Sequence, residues 1–148
     1  MNKGNCPDRT MFFFTQNQGT MSIPFGVGIE TTVLTLPAAT TRQIQSVKLD
    51  YTIQLLVQIQ ALQTNFSYGV RTRLRRNSTL LVTQTFQQGA SKLLNLALTR
   101  REYIPNTWVD DGAAGQNTYT ITLEYFQRSN ANLTVTAETR SLNAIVID

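Results

Sequence analysis

The sequence predicts an all-β protein with a β-sandwich or jelly-roll fold. Apolar and polar side chains alternate in about eight short segments, as expected of strands with one buried face. Turn-forming residues separate these segments at short, regular spacing, which is typical of sandwiches and jelly rolls. The chain has 148 residues, enough for one domain with a substantial core.

The longest alternating segment, residues 46–60, predicts the central strand. Its odd-numbered positions, from Val47 to Ile59, are all apolar, and its even-numbered positions are polar apart from Leu56. Successive side chains of a strand point to opposite faces, so one face of this segment is wholly apolar. Its β-branched and aromatic residues also favour a strand. We expect it in the middle of the core-forming sheet.

The same alternation predicts the other strands. The first covers residues 26–36 and contains a bulge, and residues 37–40 form a turn. Residues 76–78 are predicted as a hairpin turn, and Pro105-Asn106 as another turn. The last strand changes parity near Arg140, which predicts a bulge there. The remaining predicted strands are residues 66–74, 79–86, 94–98 and 117–126, and the last strand runs over residues 133–147.

Residues 1–25 differ from the rest and are predicted as an N-terminal arm before a jelly-roll domain of residues 26–148. The arm is rich in Asn, Gln and Gly, and four consecutive apolar residues, 11–14, cannot all face one side of a strand. It either folds back over its own domain or docks into another subunit, where an extended peptide can add to a sheet edge. The predicted connector residues are Met11, Phe12, Phe13, Phe14, Ile23, Pro24 and Phe25.

The composition gives little support for catalysis. The chain has no His, which excludes Ser–His and Cys–His nucleophiles. Asp110-Asp111-Gly112 lacks the ligand spacing of a calcium loop, so we expect a solvated turn there. We therefore predict no enzyme activity, no cofactor and no metal site.

Cys6 is the single cysteine of the chain, so it cannot form an intrachain disulfide. An unpaired cysteine is either an intermolecular cross-link or a free thiol, and both alternatives stay open. The sequence shows no secretory signal and no apolar run long enough for a transmembrane helix. We expect synthesis in the cytosol and no membrane partner.

Arg71, Arg73, Arg75 and Arg76 form the sharpest charge cluster. A nucleic-acid interpretation would have them follow a phosphate backbone. The net charge of +4 makes the chain only mildly basic, and few aromatic residues share the strand face of the arginines. We favour a solvated outer face, with contacts to acidic residues of a neighbouring subunit as a variant. We expect no nucleic-acid partner.

Four segments together resemble a known family: YTIQ, YGVRTRLRRNSTLLVTQTF, NTYTITLEY and TVTAETRSLNAIVI. They are similar to the C1q/TNF-like jelly rolls of bacterial spore-surface proteins, which include the globular tip of the collagen-like exosporium glycoprotein. The resemblance covers residues 26–148. This chain has no Gly-X-Y repeats before the domain and carries the short aromatic arm instead. In this respect it resembles subunits of spore appendage fibres.

The resemblance implies a homotrimer that stacks head to tail into a homopolymer, with the arm as inter-subunit connector. It implies the spore surface (exosporium or appendage) as location, synthesis in the mother-cell cytoplasm, and an anchoring protein and a collagen-like tip protein as partners. Tyr51, Tyr119 and Tyr125 are then candidates for the trimer core, since aromatic side chains supply rigid buried area. The alternative is a C1q-like trimeric binding module or adhesin, and a viral or phage jelly roll is a third hypothesis.

Overall fold

A computed structural model describes residues 10–42, 45–93, 95–111, 114–129 and 131–147. The described residues form nine β-strands and no helix. The strands are β1 (Met11–Asn17), β2 (Met21–Ser22), β3 (Thr31–Thr41), β4 (Ser46–Ile59), β5 (Asn65–Arg76), β6 (Thr79–Ser91), β7 (Leu98–Asp111), β8 (Gly115–Arg128) and β9 (Leu133–Ile147).

The strands build two antiparallel sheets that pack face to face. The first sheet has the order β1-β9-β4-β7, with the short β2 also paired to β9, and the second has the order β3-β8-β5-β6. The eight longer strands thus pair from the outside of the chain inwards: β1 with β9, β3 with β8, β4 with β7 and β5 with β6. This nested pairing in two four-stranded layers is a jelly roll. The predicted all-β jelly-roll sandwich is confirmed.

The predicted central strand is confirmed as β4. It lies between β9 and β7, and every apolar residue at its odd-numbered positions is buried. Full burial of one such side chain contributes about 1.5–3 kcal/mol before entropy costs. The inner faces of β5, β8 and β9 complete the core with Phe66, Tyr68, Val70, Leu74, Tyr119, Ile121, Leu123, Tyr125, Leu133, Val135, Ala137, Leu142, Ala144 and Val146.

Two local predictions are also confirmed. Ile53 of β4 lies opposite Arg140 and Leu55 opposite Ala137, so β9 has an extra residue between them and bulges where its parity changes. The hairpin between β5 and β6 turns at Asn77, whose φ of 52° is left-handed. Asn is among the residues that tolerate this conformation best.

Four local predictions are wrong. Pro37 and Ala39 lie inside β3, and Pro105 lies inside β7, so neither proline marks a turn. Both strands lie at sheet edges, where the N–H that proline lacks is not needed by a neighbour. The first strand of the second sheet begins at Thr31, not at residue 26. Leu96 lies in a loop rather than a strand, and Leu94 lies outside the described residues.

The N-terminal segment belongs to the jelly roll. Met11 lies opposite Val146 and Asn17 opposite Arg140, so β1 pairs with the C-terminal half of β9. It is the first strand of the jelly roll. Beyond it, β2 pairs with β9, and the Ile23 N–H donates to the Val135 carbonyl at 3.2 Å. The arm of this single chain therefore folds on its own domain, the first of the two alternatives. We call residues 11–23 the strap.

Candidate functional site

The strap presents an exposed pair of aromatic rings. Phe12 and Phe14 point outwards with 58% and 68% of their surface exposed, and their ring centroids lie 6.3 Å apart. Met11 and Phe13 point inwards and pack, partly buried, against the core. Strand alternation thus divides the four consecutive apolar residues between two faces. We call Phe12 and Phe14 the aromatic ridge.

The ridge continues onto the outer face of the first sheet. Phe12 lies opposite Ile145 of β9, and the same row crosses the sheet through Lys48 to the exposed Val109 of β7. The positive charge in this row is matched, since Lys48 forms an ion pair with Asp50 at 3.2 Å. Large apolar side chains grouped on a surface mark interaction sites.

The strap also lacks the features that usually protect an edge strand. It carries no charged residue from position 11 to 23 and no proline within that range. Natural sheet edges are commonly shielded by charges, prolines or bulges. The opposite edge of the same sheet, β7, carries Pro105 and several charged residues. Of the two edges of the first sheet, β1 is therefore the one suited to contact another chain.

Arg140 holds the strap to both sheets. Its side chain is 1% exposed, and its Nε donates to the Val33 carbonyl at 3.0 Å. Its Nη1 donates to the carbonyls of Gly19 at 2.7 Å, Ala137 at 2.9 Å and Glu138 at 2.7 Å. Burial lowers the pKa of this guanidinium. A single side chain thus ties the strap, β3 and the bulge of β9 together.

Glu30 fixes the chain just after the strap. Its carboxylate accepts hydrogen bonds from Arg75 at 2.7 Å and from the Thr122 hydroxyl at 2.8 Å, and it also pairs with Arg73. The hydrogen bond from Arg75 is the largest of the causes that hold the pKa of Glu30 below its usual range. We call these contacts the Glu30 anchor.

The arginine cluster is paired within its own chain. Arg71 and Arg73 both contact the buried Glu124, at 2.9 and 2.7 Å, while Arg75 contacts Glu30. Both carboxylates lie on or beside the outer face of the second sheet, where β5 and β8 are neighbours. The arginines lie on an outer face, as the favoured interpretation predicts, but they are paired with carboxylates from distant parts of the sequence instead of being fully solvated.

Asp110 departs from the predicted solvated turn. It is a buried residue near the end of β7, and it pairs with Arg76 at 2.6 Å. The Tyr119 hydroxyl donates to its other oxygen at 2.9 Å. The neighbouring residues 112 and 113 lie outside the described residues. Asp110 is therefore part of an ion-pair cluster at one end of the sandwich.

Within the described ranges, no group of three or more His, Cys, Asp or Glu residues is placed to hold a metal ion. The same part of the chain contains no helix with the length and hydropathy needed to span a membrane.

The three tyrosines proposed for a trimer core lie inside one chain instead. Tyr51, Tyr119 and Tyr125 are all buried between the sheets. The Tyr51 hydroxyl is 3.0 Å from that of Thr72, and the Tyr125 hydroxyl accepts from the Val135 N–H at 2.7 Å. The trimer-core prediction is corrected, because strand alternation turns these rings towards the opposite sheet of their own sandwich.

Tyr68 is the exception among the buried tyrosines, since its hydroxyl has no hydrogen-bond partner among the described residues. An unpaired buried hydroxyl destabilises a fold by about 1–3 kcal/mol. We expect Tyr68→Phe to raise the free energy of unfolding at pH 7 by about 1 kcal/mol. Tyr125→Phe is the matched control and should lower it, because Val135 loses its acceptor. Urea unfolding of both variants tests this, and destabilisation by Tyr68→Phe would contradict it.

The effect of Tyr68→Phe on the free energy of unfolding should also depend on pH. Burial raises the pKa of Tyr68 to about 12. An unfolded tyrosine ionises near pH 10, so between about pH 10 and 12 the unfolded chain releases a proton that the folded chain retains. Stability therefore falls as the pH rises through this window. Tyr68→Phe should make that fall smaller in the same unfolding measurements.

The remaining connector residues lie where the strap leaves the first sheet. Ile23 is buried in the core, Pro24 is half-buried and Phe25 is exposed. The guanidinium carbon of Arg128 lies 4.5 Å from the centroid of the Phe25 ring. Cys6 lies outside the described residues.

Comparison with known proteins identifies the fold alone. No protein-family model and no curated protein sequence matches the chain. The infectious bursal disease virus Gx strain structure matches at 12% identity and a TM-score of 0.50, over 93% of this chain and 32% of that chain. The T13 particle of infectious bursal disease virus matches at 12% identity and a TM-score of 0.51, over 93% and 31%.

A structure of dimeric latent PorU from Porphyromonas gingivalis has 14% identity and a TM-score of 0.49, over 92% of this chain and 13% of that chain. The chain therefore spans about a third of the length of the viral chains and about an eighth of PorU. The viral likenesses agree with the jelly-roll sandwich.

Proposed function

We propose that this chain is a non-catalytic structural subunit of an endospore-surface appendage fibre. In this proposal, trimers of the jelly roll stack head to tail through their N-terminal connectors. The aromatic ridge carries the proposal: two large rings are exposed on an uncharged edge strand, at the part of the chain that the sequence singles out as the connector.

The two outer faces of the sandwich differ in a way that supports this assembly. On the second sheet, arginine and glutamate side chains are paired with each other. The first sheet presents the aromatic ridge, with Val109 and Tyr103 exposed on β7. Apolar and aromatic side chains are typical of the centre of an interface between subunits. The first sheet is thus the better candidate for the contacts within a trimer and between trimers.

Assembly with copies of itself also suits the fold. One of the similar structures is that of the T13 particle of infectious bursal disease virus. A contact between two different surfaces of identical subunits that does not close on itself produces a filament. A trimer presents three connectors together, so a weak single contact is multiplied. The proposal also places the fibre on the spore surface, with an anchoring protein and a collagen-like tip protein as partners.

Replacing both ridge residues by serine, Phe12→Ser with Phe14→Ser, is expected to abolish filaments and leave folded particles. The rings point away from the core, so their loss removes the contact between copies and little else. Negative-stain electron microscopy of the purified chain and the variant measures the outcome, and circular dichroism checks the fold. Leu80→Ser is a suitable control, because Leu80 is also exposed but lies on β6.

Filaments that persist in the double variant would contradict the role of the ridge. Filaments from the unaltered chain that disappear in the double variant but not in Leu80→Ser would support a fibre subunit. A version without residues 1–25 is a less selective test, because it also removes the first strand of the jelly roll.

The second candidate function is a C1q-like trimeric binding module or adhesin. The observation that favours it is a set of exposed leucines in the loops at the end of the sandwich where β9 begins: Leu62, Leu93 and Leu96. Lys92 joins these loops, since its Nζ donates to the Ala61 carbonyl at 2.9 Å. A binding module would stop at discrete trimers in the microscope, whereas a fibre subunit would polymerise.

A further inference from the structure

We infer that the strap is exchanged between copies, so that residues 11–23 of one subunit occupy the place beside β9 in the next. This inference rests on the proposed fibre function and identifies the acceptor of the connector. The acceptor is the edge of β9 together with the inner surface that Met11, Phe13 and Ile23 cover in the single chain.

The main chain of β1 is paired along one edge, while the side chain of Arg140 also links the strap to β3. Of the described strands, only β9 is hydrogen-bonded to β1. A cleft of about 250 Å³ lies between β1 and the edge of the second sheet, lined by Thr15, Gln16, Asn17 and residues 32–35. Most of its exposed lining is polar, so water can reach the middle of the strap. The strap can therefore separate from β9 without pulling β3 with it.

The chain after the strap is fixed independently. Residues 24–30 form no strand of their own and include Gly28, whose φ of 80° is favourable for glycine. The Gly28 N–H donates to the Tyr125 carbonyl at 2.8 Å, and two residues later the Glu30 anchor joins β5 and β8. A change of direction at Pro24–Gly26 would release the strap and leave these contacts in place.

Exchange preserves the contacts that hold the strap. In the next copy, β1 finds the same β9 partners, Gly19 finds the same Arg140, and Ile23 finds the same core. The exchange of an identical element is therefore a low-cost route to association. The aromatic ridge adds a contact that the single chain lacks, because both rings lie beside a new neighbour after exchange. Repeated exchange in one direction gives a fibre.

A cysteine pair across β1 and β9 tests the exchange. Gln16 lies directly opposite Ser141, and both belong to the outer face. Opposite residues of antiparallel strands have Cα atoms about 4.5–5.5 Å apart, which is compatible with a disulfide. The variant is Gln16→Cys with Ser141→Cys and Cys6→Ser, assembled under reducing conditions and then oxidised. Exchange predicts a ladder of covalent multimers in denaturing, non-reducing electrophoresis.

The outcomes separate the inference from the function on which it rests. Filaments whose disulfides all lie within single chains would overturn the exchange and leave the fibre function standing. Discrete particles from the unaltered chain would overturn both. Oxidation before assembly should cross-link each strap to β9 of its own chain and prevent filaments. Filaments formed by such cross-linked subunits would also overturn the exchange. The control carries Gln16→Cys and Cys6→Ser alone and should give no ladder beyond dimers.

Discussion

Replacing Arg140 by methionine is expected to lower the free energy of unfolding by about 3–5 kcal/mol, since it leaves several buried carbonyls without their donor. Methionine fills a similar volume but cannot donate to the carbonyls of Gly19, Val33 and the β9 bulge. A buried, unpaired acceptor costs about 1–3 kcal/mol, and the bulge is then held by main-chain bonds alone. Urea unfolding measures the change.

The strap should respond more strongly than the rest of the fold to this substitution. Hydrogen exchange in residues 11–22 of Arg140→Met is expected to speed up before exchange in β4 does, because Gly19 loses its tie. Arg101→Met is the matched control: Arg101 pairs with Glu138 at 3.1 Å but is largely exposed. Exposed ion pairs contribute only about 0–1 kcal/mol. Equal losses in the two variants would contradict the role assigned to Arg140.

The strands with one buried face could be predicted from the sequence because apolar and polar residues alternate along them. β4, β5 and β8 each have an apolar face in period two, and the structure buries those faces. Edge strands were harder to predict. Pro37 and Pro105 resemble turn signals, but an edge strand tolerates proline because one side of its backbone needs no partner. β1 could not be recognised as a strand because its four consecutive apolar residues place large side chains on both faces and show no alternation.

The site was less predictable because its contacts join distant positions. The parity change predicted the bulge at Arg140, but its donors reach carbonyls 107 and 121 residues away in the sequence. Glu30 pairs with Arg73 and Arg75, which lie 43 and 45 residues further along the chain, so the pairing of the arginine cluster could not be seen from local sequence. The tyrosine positions followed from alternation, but alternation does not distinguish the interior of one sandwich from an interface.

Asp110→Ala should have the second largest effect on stability, about 2–4 kcal/mol, because it leaves a buried hydroxyl and a partly buried guanidinium unpaired. The hydroxyl is that of Tyr119, and the guanidinium is that of Arg76. The guanidinium is partly exposed to water, which limits its share of the loss. Asp110→Asn keeps an acceptor at the same place and should cost about half as much. Thermal and urea unfolding measure both.

A double-mutant cycle with Tyr119→Phe separates the two contributions. Tyr119→Phe alone removes one hydrogen bond and should cost about 1 kcal/mol. In the double variant no orphaned hydroxyl remains, so the combined loss should fall short of the sum by about 1 kcal/mol. Strict additivity would show that Tyr119 does not depend on Asp110. Because β7 and β8 belong to different sheets, coupling would also show that the hydrogen bond between Tyr119 and Asp110 links the two sheets at this end.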